Sequence, residues 1–405
     1  MTLEFHTVGY ERANMTEAML DGKQVVPSSE ELISRAQSLI PLLRANAVLA
    51  EELGRLPDEN VEAIEEAGLF RMLMPENRGG YGTDAATAAI AMTHIASGCP
   101  STAWDMQIYF GIGRMAEGLP EETMAELYAE TPNARFAGTF AAPGAVCVPV
   151  EGGYRIRGRG HWPFNSGCHH AHWDLLRISI EEPDGTISDG FCLIPLSELT
   201  IADDWHVMGA KATGSNSVEC GEVFIPERRM SRNIAAVFKS LGKGDAGYAF
   251  TAALSLGMAR YALEAFHDMA KGRGIKMLGY EKMYDSAIVQ AAIATAHTNI
   301  KMIEAYQQWA LSTLQPGAER ITDPMQNQAS GTLCYKLARE AIERLFEVCP
   351  TDEIRLDRPI QRLLRDLLAF THQGAMSPYQ NWERYGRYLV GAGTTSILPP
   401  SGAKK

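Results

Sequence analysis

The hydrophobic pattern changes character twice along the chain. From Ser28 to about residue 130, apolar positions recur every three or four residues, as Ile33, Ala36, Leu39, Ile40, Leu43 and Ala47 do, which is a helical spacing. Ser28 or Ser29 ahead of Glu30 and Glu31 suits a helix start, because acidic side chains favour the first turn. Further helices are expected over 58–67, 84–97 and 101–118, with the glycines of 75–82 breaking the pattern between them. Residues 1–27 are polar with weak periodicity and read as an extension.

Near residue 135 the long periods give way to short runs at 135–140, 153–158, 173–180, 190–195 and 217–226, bounded by Gly, Pro and Asp. Such spacing suggests an antiparallel sheet or small barrel. After a loop at 241–247, helical spacing returns and lasts to about residue 390, beginning with Ala253, Leu254, Met258 and Ala259. The clearest stripe is the last. Ile360, Leu363, Leu364, Leu367 and Leu368 share one helix face, and Pro359 suits the first turn. Arg362 and Asp366 stand one turn apart on the other side, a spacing that allows an ion pair. His372 falls one turn past Leu368, on the apolar stripe.

Composition narrows the class. With 405 residues, 46% hydrophobic and 21% charged, the chain can bury a sizeable core and reads as a soluble folded protein. A formal charge of -12 argues against nucleic acid as a partner. The seven cysteines (99, 147, 168, 192, 220, 334 and 349) are scattered, with no Cys-x-x-Cys pair, which fits reduced thiols. No basic-then-apolar leader begins the sequence, and no run approaches the ~20 apolar residues of a membrane span. A cytoplasmic location without a membrane partner is expected.

Three motifs sit on this frame. The 358–374 helix resembles the last helix of the acyl-CoA dehydrogenase superfamily, whose Pro-x-x-Arg-x-x-Arg-Asp pattern is met here by Pro359, Arg362, Arg365 and Asp366. Dehydrogenases of that kind carry a catalytic Glu just beyond; the matching position here is Gly374, and Glu383 is the nearest acid. The second motif, Gly160-His161-Trp162-Pro163-Phe164-Asn165-Ser166-Gly167, resembles the Gly-x-Trp-x-Phe-x-Ser-Gly signature of two-component flavin-dependent monooxygenases related to p-hydroxyphenylacetate hydroxylase. Read from the residues alone, the same stretch is a β-turn with a capped Ser and a core Trp. The third, Ser101-Thr102-Ala103-Trp104, matches the family's Ser-x-Ala-Trp helix at the substrate pocket.

The resemblance implies an α+β, mainly helical, acyl-CoA dehydrogenase-like fold. Its parts would be an N-terminal helical domain (28–134), a middle antiparallel β-barrel (135–230) and a C-terminal four-helix bundle (231–395). It implies an oxygenase component that takes FMNH2 or FADH2 from a separate reductase and uses O2, through a C4a-(hydro)peroxyflavin, to hydroxylate a small, aromatic substrate. On this match Ser166 is the partner of flavin N5. Trp162, Asn165, Thr139, Phe140 and Ser215 line or hold the cofactor, and His372 acts in proton transfer. Trp104 and Tyr109 shape the substrate pocket, and the chain assembles as a homotetramer. No Gly-x-Gly-x-x-Gly follows a strand, so NADH is not expected to bind here.

Relatives commonly carry a second catalytic His two turns after the Trp, where this chain has Tyr109, Phe110 and Ile112. That departure keeps N-oxygenation of an amine in view beside aromatic hydroxylation. An acyl-CoA dehydrogenase with a displaced base, or a flavin-less assembly subunit, are the competing readings. Strand geometry would put His170 and His172 on one face with Asp174 as a conceivable third ligand; such clusters are more often packing, and no metal is assigned.

Overall fold

The computed structural model describes residues 19–20, 23–24, 26–140, 143–242, 247–314, 324–374 and 376–392. The first eighteen residues of the expected extension, and the centre of the 241–247 loop, lie outside them. A two-residue pair, β1 (Met19–Leu20) and β2 (Lys23–Gln24), precedes the helices. The first helical stripe is cut into α1 (Ser29–Ser38), α2 (Ile40–Ala45) and α3 (Ala47–Leu53), with Pro41 in the first turn of α2. Ser28 is the cap: its hydroxyl accepts the Glu31 N–H at 3.1 Å. There follow α4 (Asp58–Glu66), α5 (Ala85–Gly98), capped by Asp84, then α6 (Pro100–Ala116) and α7 (Glu121–Glu130).

The middle region holds β3 (Phe136–Thr139), β4 (Val146–Val150), β5 (Gly153–Ile156), β6 (Gly160–Trp162), β7 (Trp173–Glu181), β8 (Ile187–Pro195), β9 (Thr200–Ile201), β10 (Val218–Cys220), β11 (Phe224–Pro226) and β12 (Met230–Ser231). They form two sheets, not the single barrel expected. One sheet has seven strands along β11-β5-β4-β7-β8-β12, with β3 also on β7; the other has three, β6-β10-β9. Among the described residues the end strands β11 and β12 do not pair, so the larger sheet stays open. Nor is it wholly antiparallel, since β3 and β4 both run parallel to β7. The single run expected at 217–226 is split between the two sheets.

Between the sheets lies an apolar layer containing Ile156, Trp162, Leu176, Ile178, Cys192 and Val218. The outer face of the large sheet packs Phe136, Trp173, Leu175, Phe191 and Leu193 against α6, α7 and α8 (Ile234–Gly242). With both faces covered there, Trp173–Leu176 of β7 and Gly190–Ile194 of β8 are buried without a break, while the second half of β7 alternates.

The C-terminal helices are α9 (Gly247–Ala270), α10 (Ala287–Thr313), α11 (Pro324–Glu347), α12 (Pro359–Phe370) and α13 (Pro378–Leu389). The first four pack together, and α9 also packs along α5, so one apolar core joins the two helical regions across the sequence. That core buries α12 on two sides. Arg362 and Asp366, expected on a wet face, are both buried, and Asp366 accepts the Ala210 backbone N–H instead of a partner on its own helix.

Candidate active site

The turn between β6 and β7 presents Ser166, and three other segments hold it. Phe164 adopts φ 62, an uncommon conformation for a bulky residue that persists only where its surroundings impose it. They do: Asn165 N–H donates to Asn216 O at 3.2 Å, and Gly167 N–H to Thr213 O at 2.9 Å, tying the turn to the 209–217 loop. The strain turns the Phe164 ring outward, 74% exposed, edge-on to Trp205 at 6.3 Å. Gly167 itself has φ 75, and a Cβ there would lie 2.6 Å from Tyr109 Oη. Tyr109 packs into that space and donates to the Gly167 carbonyl at 2.8 Å.

The 209–217 loop is clamped to α12 through backbone. A Cβ at Gly209 would overlap the Arg365 carbonyl, so only glycine permits the approach. Ala210, at φ 54, donates its N–H to Asp366 Oδ1 at 2.7 Å. Thr213 Oγ1 then donates to Ala210 O at 2.8 Å and lies 2.7 Å from Ser215 Oγ, which lies 2.7 Å from Ser166 Oγ. From the other side Trp104 of α6 donates its indole N–H to Ser166 Oγ at 3.1 Å. The Trp104 ring stacks on Phe370, the last residue of α12, at 4.6 Å and 14°. Ser166, Ser215 and Trp104 thus meet through hydrogen bonds at one hydroxyl, Tyr109 holds the adjoining Gly167 carbonyl, and α12 backs both sides through Phe370 and Asp366.

Three carboxyl groups lie buried on the segments that meet here. Burial pushes Asp366 up to about 6, against the Ala210 N–H that favours its ionised form. Burial likewise pushes Asp174 up to about 7; its main partner is the Asn165 side-chain amide, which donates to it. Asp105, one residue past Trp104, is raised well above the usual range by burial alone. Sequence reasoning gave none of the three a chemical role in the turn, because their burial comes from segments distant in the chain.

Other expected residues are placed differently. Helix α12 stops at Phe370, so His372 is off the apolar stripe and exposed. Its Nδ1 lies 2.8 Å from the Leu368 carbonyl of the last turn, which also accepts the Thr371 hydroxyl at 2.9 Å. Nδ1 therefore carries the proton, leaving Nε2 as the free basic nitrogen. Trp162 is fully buried between the sheets, donating to Arg177 O at 2.7 Å, and Asn165 is fully buried beside Asp174. Both support the turn from behind. Thr139 and Phe140 stand half-buried at the end of β3, with Phe140 edge-on to Phe238 at 5.9 Å.

The histidine cluster does not lie on a strand. Cys168–His170 is a 3-10 turn, His170 lies 2.9 Å from Leu56 O, His172 accepts the Arg135 N–H at 3.0 Å, and His169 lies 2.9 Å from Asn216 Oδ1. Among the described residues no group of His, Cys, Asp and Glu side chains could hold a metal. Behind Tyr109, a cavity of about 50 Å³ is lined by Phe70, Phe110, Tyr128, Arg135 and Phe136. Glu383, the displaced-base candidate, is exposed on α13 and lies 3.6 Å from Arg387. Among the described residues, a Cβ at Gly374 would find only Gln380 Oε1, at 3.7 Å.

Comparison with known proteins gives first the class. Residues 40–117 match the N-terminal domain of acyl-CoA dehydrogenases, and residues 249–377 match their C-terminal domain. The chain is 30% identical over 396 residues to the flavin-dependent monooxygenase oxygenase subunit HsaA of Mycobacterium tuberculosis, spanning 92% of this chain and 97% of that one. It is 28% identical to the oxygenase component of p-hydroxyphenylacetate 3-hydroxylase from Acinetobacter baumannii, over 90% of each. The structure of XiaF from a Streptomyces species, in complex with FADH2 and glycerol, shares the fold at a TM-score of 0.78 and 24% identity, over 92% of this chain and 98% of that one. The chain belongs to the family of flavin-dependent monooxygenase oxygenase components built on the acyl-CoA dehydrogenase fold. No helix among the described residues is long and apolar enough to cross a membrane.

Proposed function

We propose that the chain takes reduced flavin, FMNH2 or FADH2, from a separate reductase and uses O2 to hydroxylate a small aromatic compound. The observation that carries this reading is a pair. The carboxylate position of a dehydrogenase is empty at Gly374, while Ser166 is held rigidly by Trp104 and Ser215. Reduced flavin supplies the two electrons, so that one oxygen atom enters the substrate and the other leaves as water.

The residues divide the remaining work. Ser166 meets N5 of the flavin ring, and the outward Phe164 with Trp205 gives that ring an aromatic wall. Trp162, Asn165 and Ser215 keep the turn in place, and Thr139 and Phe140 border the site from β3. The free Nε2 of His372 exchanges protons with the substrate or the reacting oxygen. Trp104 and Tyr109 close the pocket on the α6 side. Both Phe164 and His372 are exposed in one chain, and a second copy in a homotetramer would cover them and exclude water.

Anaerobic loading with reduced flavin, then mixing with O2 and a panel of phenols, indoles and amines, tests the reading. Oxygen should appear in one aromatic product, with little peroxide released. His372→Ala should lower turnover at least tenfold, and Ser166→Ala should raise the peroxide fraction. Intact coupling and turnover in both variants would remove these assignments. Product from amines alone would favour N-oxygenation.

A further inference from the structure

The hydroxyl protons behind Ser166 can be counted. Three oxygen–oxygen contacts run in series: Ala210 O to Thr213 Oγ1 at 2.8 Å, Thr213 Oγ1 to Ser215 Oγ at 2.7 Å, and Ser215 Oγ to Ser166 Oγ at 2.7 Å. Oxygens this close need a proton between them, and a carbonyl has none to give. Thr213 must therefore donate to Ala210. Its oxygen can then only accept from Ser215, and Ser215 in turn only from Ser166. Three contacts use three protons, in one possible order. Trp104 Nε1–H, which can only donate, takes one Ser166 lone pair from the other side at 3.1 Å. Ser166 is left with one lone pair and no proton.

We infer that this fixed direction makes Ser166 an acceptor only, so that Thr213 and Ser215 act as positioning residues that select the reduced state of the flavin. The inference rests on the flavin reading above and deepens it. In a reduced isoalloxazine N5 carries a hydrogen and donates, which suits the remaining lone pair. In the oxidised ring N5 presents a lone pair of its own, and the two would face each other without a proton. Burial keeps the order from being reset by solvent, for Thr213, Ser215 and Ser166 are each at least nine-tenths buried. The Asp366 carboxylate fixes Ala210, where the series ends.

The test measures binding of oxidised FMN, and anaerobically of dithionite-reduced FMN, to the full chain, with FAD in parallel. The midpoint potential of the bound flavin is read as well. Ser215→Ala frees the Ser166 proton directly. Thr213→Val frees it by letting Ser215 donate to Ser166 instead. In both, oxidised flavin should bind more tightly while reduced flavin is held, lowering the preference about tenfold, one hydrogen bond's worth. The midpoint should move about 30 mV negative for the two-electron couple. Ser166→Ala should differ, losing affinity for the reduced form, which the other two variants keep. Unfolding of each flavin-free variant checks that it is folded, and either variant alone decides the question if the other is not. An unchanged preference in a folded variant overturns the inference and leaves the flavin reading standing. Failure of the unaltered chain to bind any of the four flavin forms overturns both.

Discussion

Asp174→Asn should make the protein more stable, and by an amount that depends on pH. The carboxyl is fully buried at the start of β7, and burial raises it from 3.8 to about 7. Folded chains therefore keep this proton between about pH 4 and 7, where unfolded chains have lost it. Stability falls as pH rises through that window and levels off above it. At pH 8 the burden of holding the ionised form comes to about 4 kcal/mol, at 1.36 kcal/mol for each pKa unit. Asparagine is neutral throughout and keeps an oxygen for the Asn165 amide. Its own amide can also reach toward Asn165 Oδ1, which is buried without a partner. Urea unfolding of both proteins at intervals from pH 5 to 8.5 gives a difference curve in which the other buried carboxyls cancel. That curve should climb by roughly 1 kcal/mol per pH unit below pH 7 and flatten above pH 8. A flat curve, or a variant less stable than its parent at pH 8, would refute the reasoning.

Three other substitutions test separate parts of the site. Gly167→Ala adds a left-handed strain of about 1–2 kcal/mol and drives Tyr109 from the Gly167 carbonyl; a total loss of about 3–5 kcal/mol is expected in denaturant unfolding. Arg135→Met removes a buried guanidinium that pairs with Glu65 at 2.8 Å and donates to His170 O at 2.7 Å, and should cost about 2–3 kcal/mol by the same assay. Gly374→Glu enters open space and should change stability by less than about 0.5 kcal/mol, whereas a loss above about 2 kcal/mol would mean that the segment is packed against something.

The sequence made the scaffold legible wherever one face of an element decides its burial. Ser28, Asp84 and the stripe of α12 all fell as their spacing indicated, within a residue or two. It failed where burial comes from two sides. Arg362 and Asp366 look like a solvated pair on a helical wheel, yet α9 and the 209–217 loop cover them. His372 looks like the next residue of a buried stripe, but the helix has ended, and termination depends on where its last carbonyls find partners. The barrel was misjudged because short runs bounded by turns say nothing of which strands pair, and the parallel pairing of β3 and β4 with β7 joins strands separate in sequence. Motif resemblance found Ser166 and Trp104 without showing that they touch.

The clamp between Ala210 and Asp366 has a consequence for biosynthesis. The two residues are 156 positions apart, so a growing chain can form both sheets well before α12 exists. Until α12 docks, the loop is tied only to the β-region, its Ala210 end lacks the Asp366 clamp, and Trp104 lacks the Phe370 ring beneath it. The sheets can therefore fold early without creating a site able to grip a cofactor. A nascent chain stalled before residue 366 would carry a finished β-region and an unset Ser166.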